Sequence, residues 1–380
     1  MKGNTDLDNK KLVLFFTRGV SLKVWDAIGM LDREVEIYKR LLPYLEGVSF
    51  LTYGDESEYD LTTKLGNIKV LPNRWGLSAR GFSMLAPLLY WKEMKAATFL
   101  KTNQIEGSWT AVIAKLLFRK RMIARCGYLW SIVSTKQNRG RLTRLRVRFL
   151  EKLAFKFADK GVVTTEALKK YVVEKHGIKE GKVAVIPNFV NTEVFRPLKD
   201  VKREKGRICF VGRLDPEKNL FALLQAIKNL ENVSLSMIGN GSQRVALEEK
   251  AQEGNINVEF LGNLPNYQLP QELNRAELFV LPSLYEGHPK TILEAMACEL
   301  PVIGTDVEGI REVIAHRKTG YLCGTSAEEI RRAIVEVMGD EELKAEMGRN
   351  AREFVVQNLS IEKILEKELE LLRSMVEKGR

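Results

Sequence analysis

Apolar residues in this chain fall into short runs, separated by stretches in which they recur every three or four positions. In the first half the runs are Leu12–Thr17, Val48–Thr52, Ile68–Leu71, Ala97–Leu100, Arg121–Ala124, Val162–Thr164 and Val183–Ile186. Each is too brief for a helix and suits a strand buried on both faces. Trp109–Phe118 and Arg141–Ala158 carry the helical period between them. Strands alternating with helices predict a parallel, doubly wound sheet. The polar, proline-bearing segment from Pro187-Asn188-Phe189 through Pro197 to Lys205 predicts a domain boundary. A second alternation follows, with strands at Arg207–Val211, Val233–Ile238, Val258–Leu261, Leu278–Leu281 and Val302–Gly304. Helices are expected at Leu220–Asn229, Arg244–Gln252 and near Pro289–Cys298, and Ala327–Lys378 is helical without strands. The pattern predicts two α/β domains with a cleft between them, 1–190 and 191–360, and a closing helix over 361–380 that packs back toward the first.

Length and composition agree: 380 residues favour two domains, and 45% hydrophobic with 29% charged residues is a globular balance. No apolar run approaches the ~20 residues that span a bilayer, and the opening residues do not read as a secretory leader. Four cysteines lie far apart without Cys-x-x-Cys spacing, which argues against a disulfide framework or zinc cage and for a reduced, intracellular, soluble chain. The net charge of +11 is divided unevenly. Residues 1–200 hold 36 Lys+Arg against 20 Asp+Glu, and residues 201–380 hold 24 against 29. A basic half joined to an acidic half suggests different partners for the two.

Open parallel sheets bind ligands beyond the carboxyl ends of their strands. In the second half those ends carry Gly212-Arg213, Gly239-Asn240-Gly241, Gly262-Asn263, Pro282-Ser283 and Gly304-Thr305-Asp306, a rim of small and polar residues. After one of them comes Ser283-Leu284-Tyr285-Glu286-Gly287-His288-Pro289-Lys290-Thr291, running into Glu294. Pro289 fits a first helical position, Gly287 permits close backbone approach, and the amides of Lys290 and Thr291 would meet a phosphate with the positive end of the helix dipole. Were every residue between Glu286 and Glu294 helical, the two carboxylates would stand ~12 Å apart. That is too far to share a metal or a proton, but right for hydroxyls at two ends of a long ligand with a phosphate middle. A nucleotide-sugar has this layout. Arg213 and Lys218, five residues apart around a turn, could neutralise its diphosphate.

The order FVGRLDPEKN, MIGNG, VEFLGNL and LPSLYEGHPKTILEAMACELPVIGTDVEGIREVI resembles the retaining GT-B glycosyltransferases of family four, with their Glu-x7-Glu signature at Glu286 and Glu294. The resemblance is strong over 183–325 and loose in the first half. It implies a GT-B fold, two Rossmann-like domains facing a cleft. It also implies transfer of a sugar from a nucleoside-diphosphate-sugar to a hydroxyl with retained anomeric configuration, and no metal or other cofactor. In such an enzyme Arg213 and Lys218 hold the donor diphosphate. Glu286, with the backbone of Gly287, His288 and Pro289, positions the sugar, and Glu294 binds the ribose. Gly262 to Leu264 cradles the base, while Gly239 and Gly241 line the same edge.

Family members often carry a histidine on the first domain, but no histidine precedes His176 here. The matching loop offers Asn103, Gln104 and Glu106 instead, and Gly19, beside Arg18, is the other position on that side that could approach a substrate. From Lys115 to Lys160 there are 14 Lys+Arg against Glu151 and Asp159, with Leu145, Phe149, Leu153 and Phe157 as the apolar stripe of the helix there. Two readings stay open: a stripe sunk in the core beneath a solvated basic face, or a helix lying on an anionic membrane. Acting on a lipid-linked or cell-envelope saccharide, the enzyme would sit at the cytoplasmic membrane face, without nucleic acid as a partner. The rival functions are a nucleotide-sugar epimerase, for which no second acid/base set is evident, and a nucleic-acid binder using 115–160, which leaves Glu286 and Glu294 unexplained.

Overall fold

The computed structural model of the chain describes residues 6–136 and 139–377; the ends of the expected first domain (1–5) and closing helix (378–380) lie outside the described residues. The chain divides into two compact units. One holds the described residues up to Pro187 together with those from Leu365 on; the other is Asn188–Ile364.

The first unit is built on a seven-stranded parallel sheet of β1 (Lys11–Phe15), β2 (Gly47–Leu51), β3 (Lys69–Leu71), β4 (Phe99–Thr102), β5 (Arg121–Cys126), β6 (Lys160–Val163) and β7 (Val183–Val185), in the order β3-β2-β1-β4-β5-β6-β7. Leu12 of β1 pairs with Val48 on one side and Phe99 on the other. The continuous apolar run of β1 follows from this central position, since both faces are covered. The chain turns back at β3 and resumes on the far side of β1, so the carboxyl ends of β1 and β4 flank the switch point.

The second unit repeats the plan with β8 (Arg207–Val211), β9 (Ser234–Ile238), β10 (Val258–Gly262), β11 (Leu278–Leu281), β12 (Val302–Thr305) and β13 (Tyr321–Cys323), in the order β10-β9-β8-β11-β12-β13. β13 was not among the expected strands. It has three residues, two of them only partly buried, so it leaves no apolar run; its pairing with β12 alone makes it a strand. The switch point of this sheet lies between β8 and β11. The four cysteines are buried and free, and burial pushes the Cys209 and Cys323 thiols up to about 12.

The helical tail comprises Ala327–Gly339, Glu341–Asn358 and Ile361–Glu377. The first opens with a capping box, in which Ser326 Oγ accepts from Glu329 N and Glu329 Oε2 accepts from Ser326 N at 3.2 Å. The last helix returns to the first unit, where Glu368 pairs with Lys101 of β4 at 2.6 Å; both side chains are buried. Burial drives the pKa of Lys101 down against the pull of Glu368.

One helix contradicts one of its two readings. Arg141–Phe157 buries Glu151, Ala154 and Phe155 and leaves Leu145, Phe149 and Phe157 outside. The stripe of the sequence reading is therefore not the one sunk in the core. Inside, Glu151 Oε1 accepts the Ser131 N–H at 3.0 Å, while its Oε2 lies 3.3 Å from His176 Nε2 without a hydrogen bond between them.

Candidate active site

All six strands of the second sheet run in parallel, so their carboxyl ends gather on one edge. Val211 and Leu281, ending β8 and β11, border the switch point, and the segments leaving them carry Arg213 and Lys218 on one side and Ser283 to Pro289 on the other. The backbone ties the two segments together, Leu284 N donating to Glu217 O at 2.8 Å. A side-chain bond lies beside it: Lys218 Nζ pairs with Glu286 Oε1, both largely buried. The same oxygen accepts from Ser283 Oγ at 2.7 Å, and Thr305 Oγ1 in turn donates to Ser283 O. Glu286 is thus held from the segments that follow β8 and β11, and Ser283 is braced in turn from β12.

Arg213 is mostly exposed and forks between Asp215, at 2.8 Å, and Glu217. Burial raises the Asp215 pKa, but hydrogen bonds from Ser242 N and Oγ and the charges of Arg213 and Lys218 outweigh it and hold the carboxyl below its ordinary value. A partly sheltered anion thus pairs with Arg213 and feels the charge of Lys218 as well.

The helix after this loop is Lys290–Ala297, with Pro289 as its cap. Pro289 therefore precedes the first helical position, and Lys290 and Thr291 open the helix, where amides have no intrahelical acceptor. Residues 286–289 are not helical, so the separation expected for a continuous helix does not apply to Glu286 and Glu294. Glu294, one turn in, is 1% exposed, with Asn266 Nδ2 at 3.5 Å from its Oε1. Burial, with the Glu294 charge beside it, pushes the Cys298 thiol up to about 12. Gly262 ends β10 and Leu264 follows it, two residues before Asn266. Gly239 has φ +134, and a Cβ there would strike Gly212 O. The glycine lets the ends of β8 and β9 close up, with Gly241 packed against Leu214 in the same turn.

Residue-level fingerprints of two families lie along this framework. The profile described as Glycosyl transferases group 1 matches residues 192–354, and that described as Glycosyltransferase Family 4 matches residues 48–194. Residues 192–354 thus match the group 1 glycosyltransferases and residues 48–194 the family 4 glycosyltransferases. An uncharacterized glycosyltransferase of Methanocaldococcus jannaschii is 27% identical over 55% of this chain and 58% of its own length. The UDP-Gal:α-D-GlcNAc-diphosphoundecaprenol α-1,3-galactosyltransferase of Escherichia coli is 28% identical over 61% and 65%. The chain thus spans less than two thirds of the length of either relative. Anabaena HepE in complex with UDP and glucose superposes with TM-score 0.79 at 19% identity, covering 96% of this chain and 100% of that one. At that identity the likeness speaks for the fold, which is GT-B.

The candidate site is braced by residues that sequence reasoning passed over. Asn188, buried in the inter-strand linker, donates from Nδ2 to His288 O at 2.7 Å and pins the Glu286–Pro289 loop. Lys290 Nζ lies 5.9 Å from the ring centroid of the neighbouring Phe189. A side chain on Gly309 would run into the carbonyl oxygens of Glu286 and Gly287. Ser283, Asn266, Gly309 and Asp215 gave no signal beyond being small or polar near a strand end.

On the first unit, Gly19 follows β1, and Asn103, Gln104 and Glu106 follow β4, on either side of that sheet's switch point. Asn103 N donates to Phe15 O at 2.9 Å, which joins the two segments. Gln104 Oε1 accepts the Gly127 N–H at 2.9 Å and so braces the segment after β5. Glu106 is exposed on the following turn.

Proposed function

We propose that the chain transfers a sugar from a nucleoside-diphosphate-sugar to a hydroxyl of a lipid-linked or cell-envelope saccharide, with retention of anomeric configuration and without a metal. The observation that carries this reading is the Lys218–Glu286 pair spanning the switch point, with Arg213 on one flank and Glu294 on the helix that follows. Arg213 and Lys218 hold the donor diphosphate, which draws them from their carboxylate partners and gives the negative charge that develops on the leaving group two fixed counter-charges. Glu286 and the backbone from Gly287 to Pro289 orient the sugar. The amides of Lys290 and Thr291 face the phosphate, and Glu294 binds the ribose. The base lies along Gly262 to Leu264.

The acceptor oxygen forms its bond to the anomeric carbon as the bond from that carbon to the diphosphate oxygen breaks. The acceptor proton passes to the departing diphosphate on the same face, so no strong protein base is needed. Gly19, Asn103 and Glu106 serve the acceptor side. The named activity of the Escherichia coli relative on a diphosphoundecaprenol acceptor supports a lipid-linked acceptor. Among the described residues no helix is long and apolar enough to cross a membrane, and the chain reaches its acceptor from the cytoplasmic membrane face through the basic stretch 115–160.

A thermal-shift panel of UDP-, GDP-, ADP- and TDP-sugars tests the reading. A matching donor at ~100 times its Kd adds ~2.7 kcal/mol of stability by mass action. Proton NMR of the product's anomeric centre then reads retention. No shift with any donor, at concentrations that stabilise a known nucleotide-sugar enzyme, overturns the donor assignment.

A further inference from the structure

We propose that the membrane contact is made by one broad three-helix face of the first unit, with apolar side chains entering the lipid boundary and cations at the headgroups. The inference deepens the membrane reading above and rests on it for the class of partner. The segments linking β3 to β4, β4 to β5 and β5 to β6 each step in the same direction along the sheet. Right-handed crossovers place all three on one side of it. The helices there, Ala79–Leu89, Ser108–Phe118 and Arg141–Phe157, pack in that order, each against the next. Their outward sides form a single surface.

That surface is apolar where an ordinary outer helix face is polar. On Arg141–Phe157, Leu142 is 78% and Phe149 61% exposed, with Leu145 between them. The neighbouring helix leaves Leu116 at 60% and Leu117 beside it. Ala79–Leu89 exposes Met84 and Leu88, and Trp91, just beyond it, is 48% exposed. Single exposed leucines mean nothing; a sheet of them across three adjoining helices marks an interaction surface.

Charge names the occupant. Arg141, Arg146, Arg148, Lys152 and Lys156 are exposed on the same helix as the leucines, its one carboxylate, Glu151, is turned inward, and no acidic residue occurs from 107 to 150. A second copy of the chain would set cations against cations, and a nucleic acid could stack on Phe149 but would leave the exposed leucines of all three helices without an apolar partner. An anionic bilayer takes both: leucines and Phe149 at the acyl boundary, Trp91 at the interface, arginines on the phosphates.

The test is cosedimentation of the full chain with phosphatidylcholine vesicles, with and without phosphatidylglycerol, at low and high salt. Tryptophan quenching by brominated lipid is read in parallel. Binding should require the anionic lipid and fall steeply with salt. Arg141→Gln/Arg146→Gln should weaken it by roughly 25-fold, about fivefold for each cation. Leu145→Ser/Phe149→Ser should weaken it at least tenfold while the thermal midpoint and donor-induced shift stay those of the wild type. Quenching should drop in Trp91→Phe. Vesicle binding with Trp91 unquenched overturns the three-helix face and leaves the narrower contact of 115–160 standing. Absence of vesicle binding overturns both, as does self-association abolished by Leu145→Ser/Phe149→Ser.

Discussion

Replacing Glu368 by Met, with Lys101 left in place, probes the contact that fastens the last helix to the first unit. Lys101 and Glu368 are 1% and 5% exposed and meet at 2.6 Å. Met keeps the length of the side chain and favours the helix, so the change removes charge more than shape. The ammonium of Lys101 is then buried without its partner. Its destabilisation has a ceiling, because the group can shed its proton: about 1.36 kcal/mol for each pH unit below the free lysine value near 10.4. The ceiling is ~4.6 kcal/mol at pH 7 and ~1.9 at pH 9, and the first figure lies within the ~3–5 kcal/mol typical of a broken buried pair.

Burial already lowers the Lys101 pKa. A lysine with a depressed folded-state value penalises folding at low pH, and the penalty lifts as pH rises toward the unfolded value. Urea unfolding at pH 7 and pH 9, followed by tryptophan fluorescence, should therefore show Glu368→Met losing ~3–5 kcal/mol at the lower pH and ~2 or less at the higher. Lys101→Met/Glu368→Met should recover most of the loss, since two apolar groups of similar volume replace the pair. An equal loss at both pH values, or a double variant no better than the single one, would refute the reasoning.

Lys218→Met should cut turnover on the order of 10²–10³-fold with a smaller change in donor KM, because its charge matters most as the diphosphate departs; steady-state kinetics decide, and an unchanged kcat removes Lys218 from the chemistry. Asn188→Ala frees the His288 carbonyl that it holds and should cost ~1–3 kcal/mol of local order, read as a fall in kcat/KM with donor while the unfolding midpoint moves little. Glu277 is desolvated, yet its bonds from Lys344 and Gly206 N hold its pKa below the ordinary value. Its contribution to stability is thus present above the free glutamate value of ~4.3 and lost as pH falls through the folded value, so acid unfolding of Glu277→Gln should be less steep there than that of the wild type. On the proposal that the cations of Arg213 and Lys218 stand in for a metal, turnover should persist after exhaustive chelation with EDTA; a loss restored by a divalent ion would overturn that role.

How much of this was written along the chain depends on distance in sequence. β8 and β11 each bury every residue, so their runs were legible, and so was a loop running into a helix between Ser283 and Glu294, although the helix begins at Lys290 and not at Pro289. Helix Arg141–Phe157 was legible as a helix, but its orientation was not: periodicity finds a stripe without saying whether sheet or solvent meets it, and here Glu151 went inward while Phe149 stayed out. β13 was invisible because its pairing with β12 creates it.

Local order, the two doubly wound halves and the residue types on the ligand edge were determined by the sequence alone, because short-range sterics and hydrophobic period act between near neighbours. The pairing of Lys218 with Glu286, 68 residues on, of Asn188 with His288, 100 on, and of Lys101 with Glu368, 267 on, was decided by tertiary structure. A charge or amide shows its type along the chain but not its partner, which depends on which strand ends the crossovers bring together.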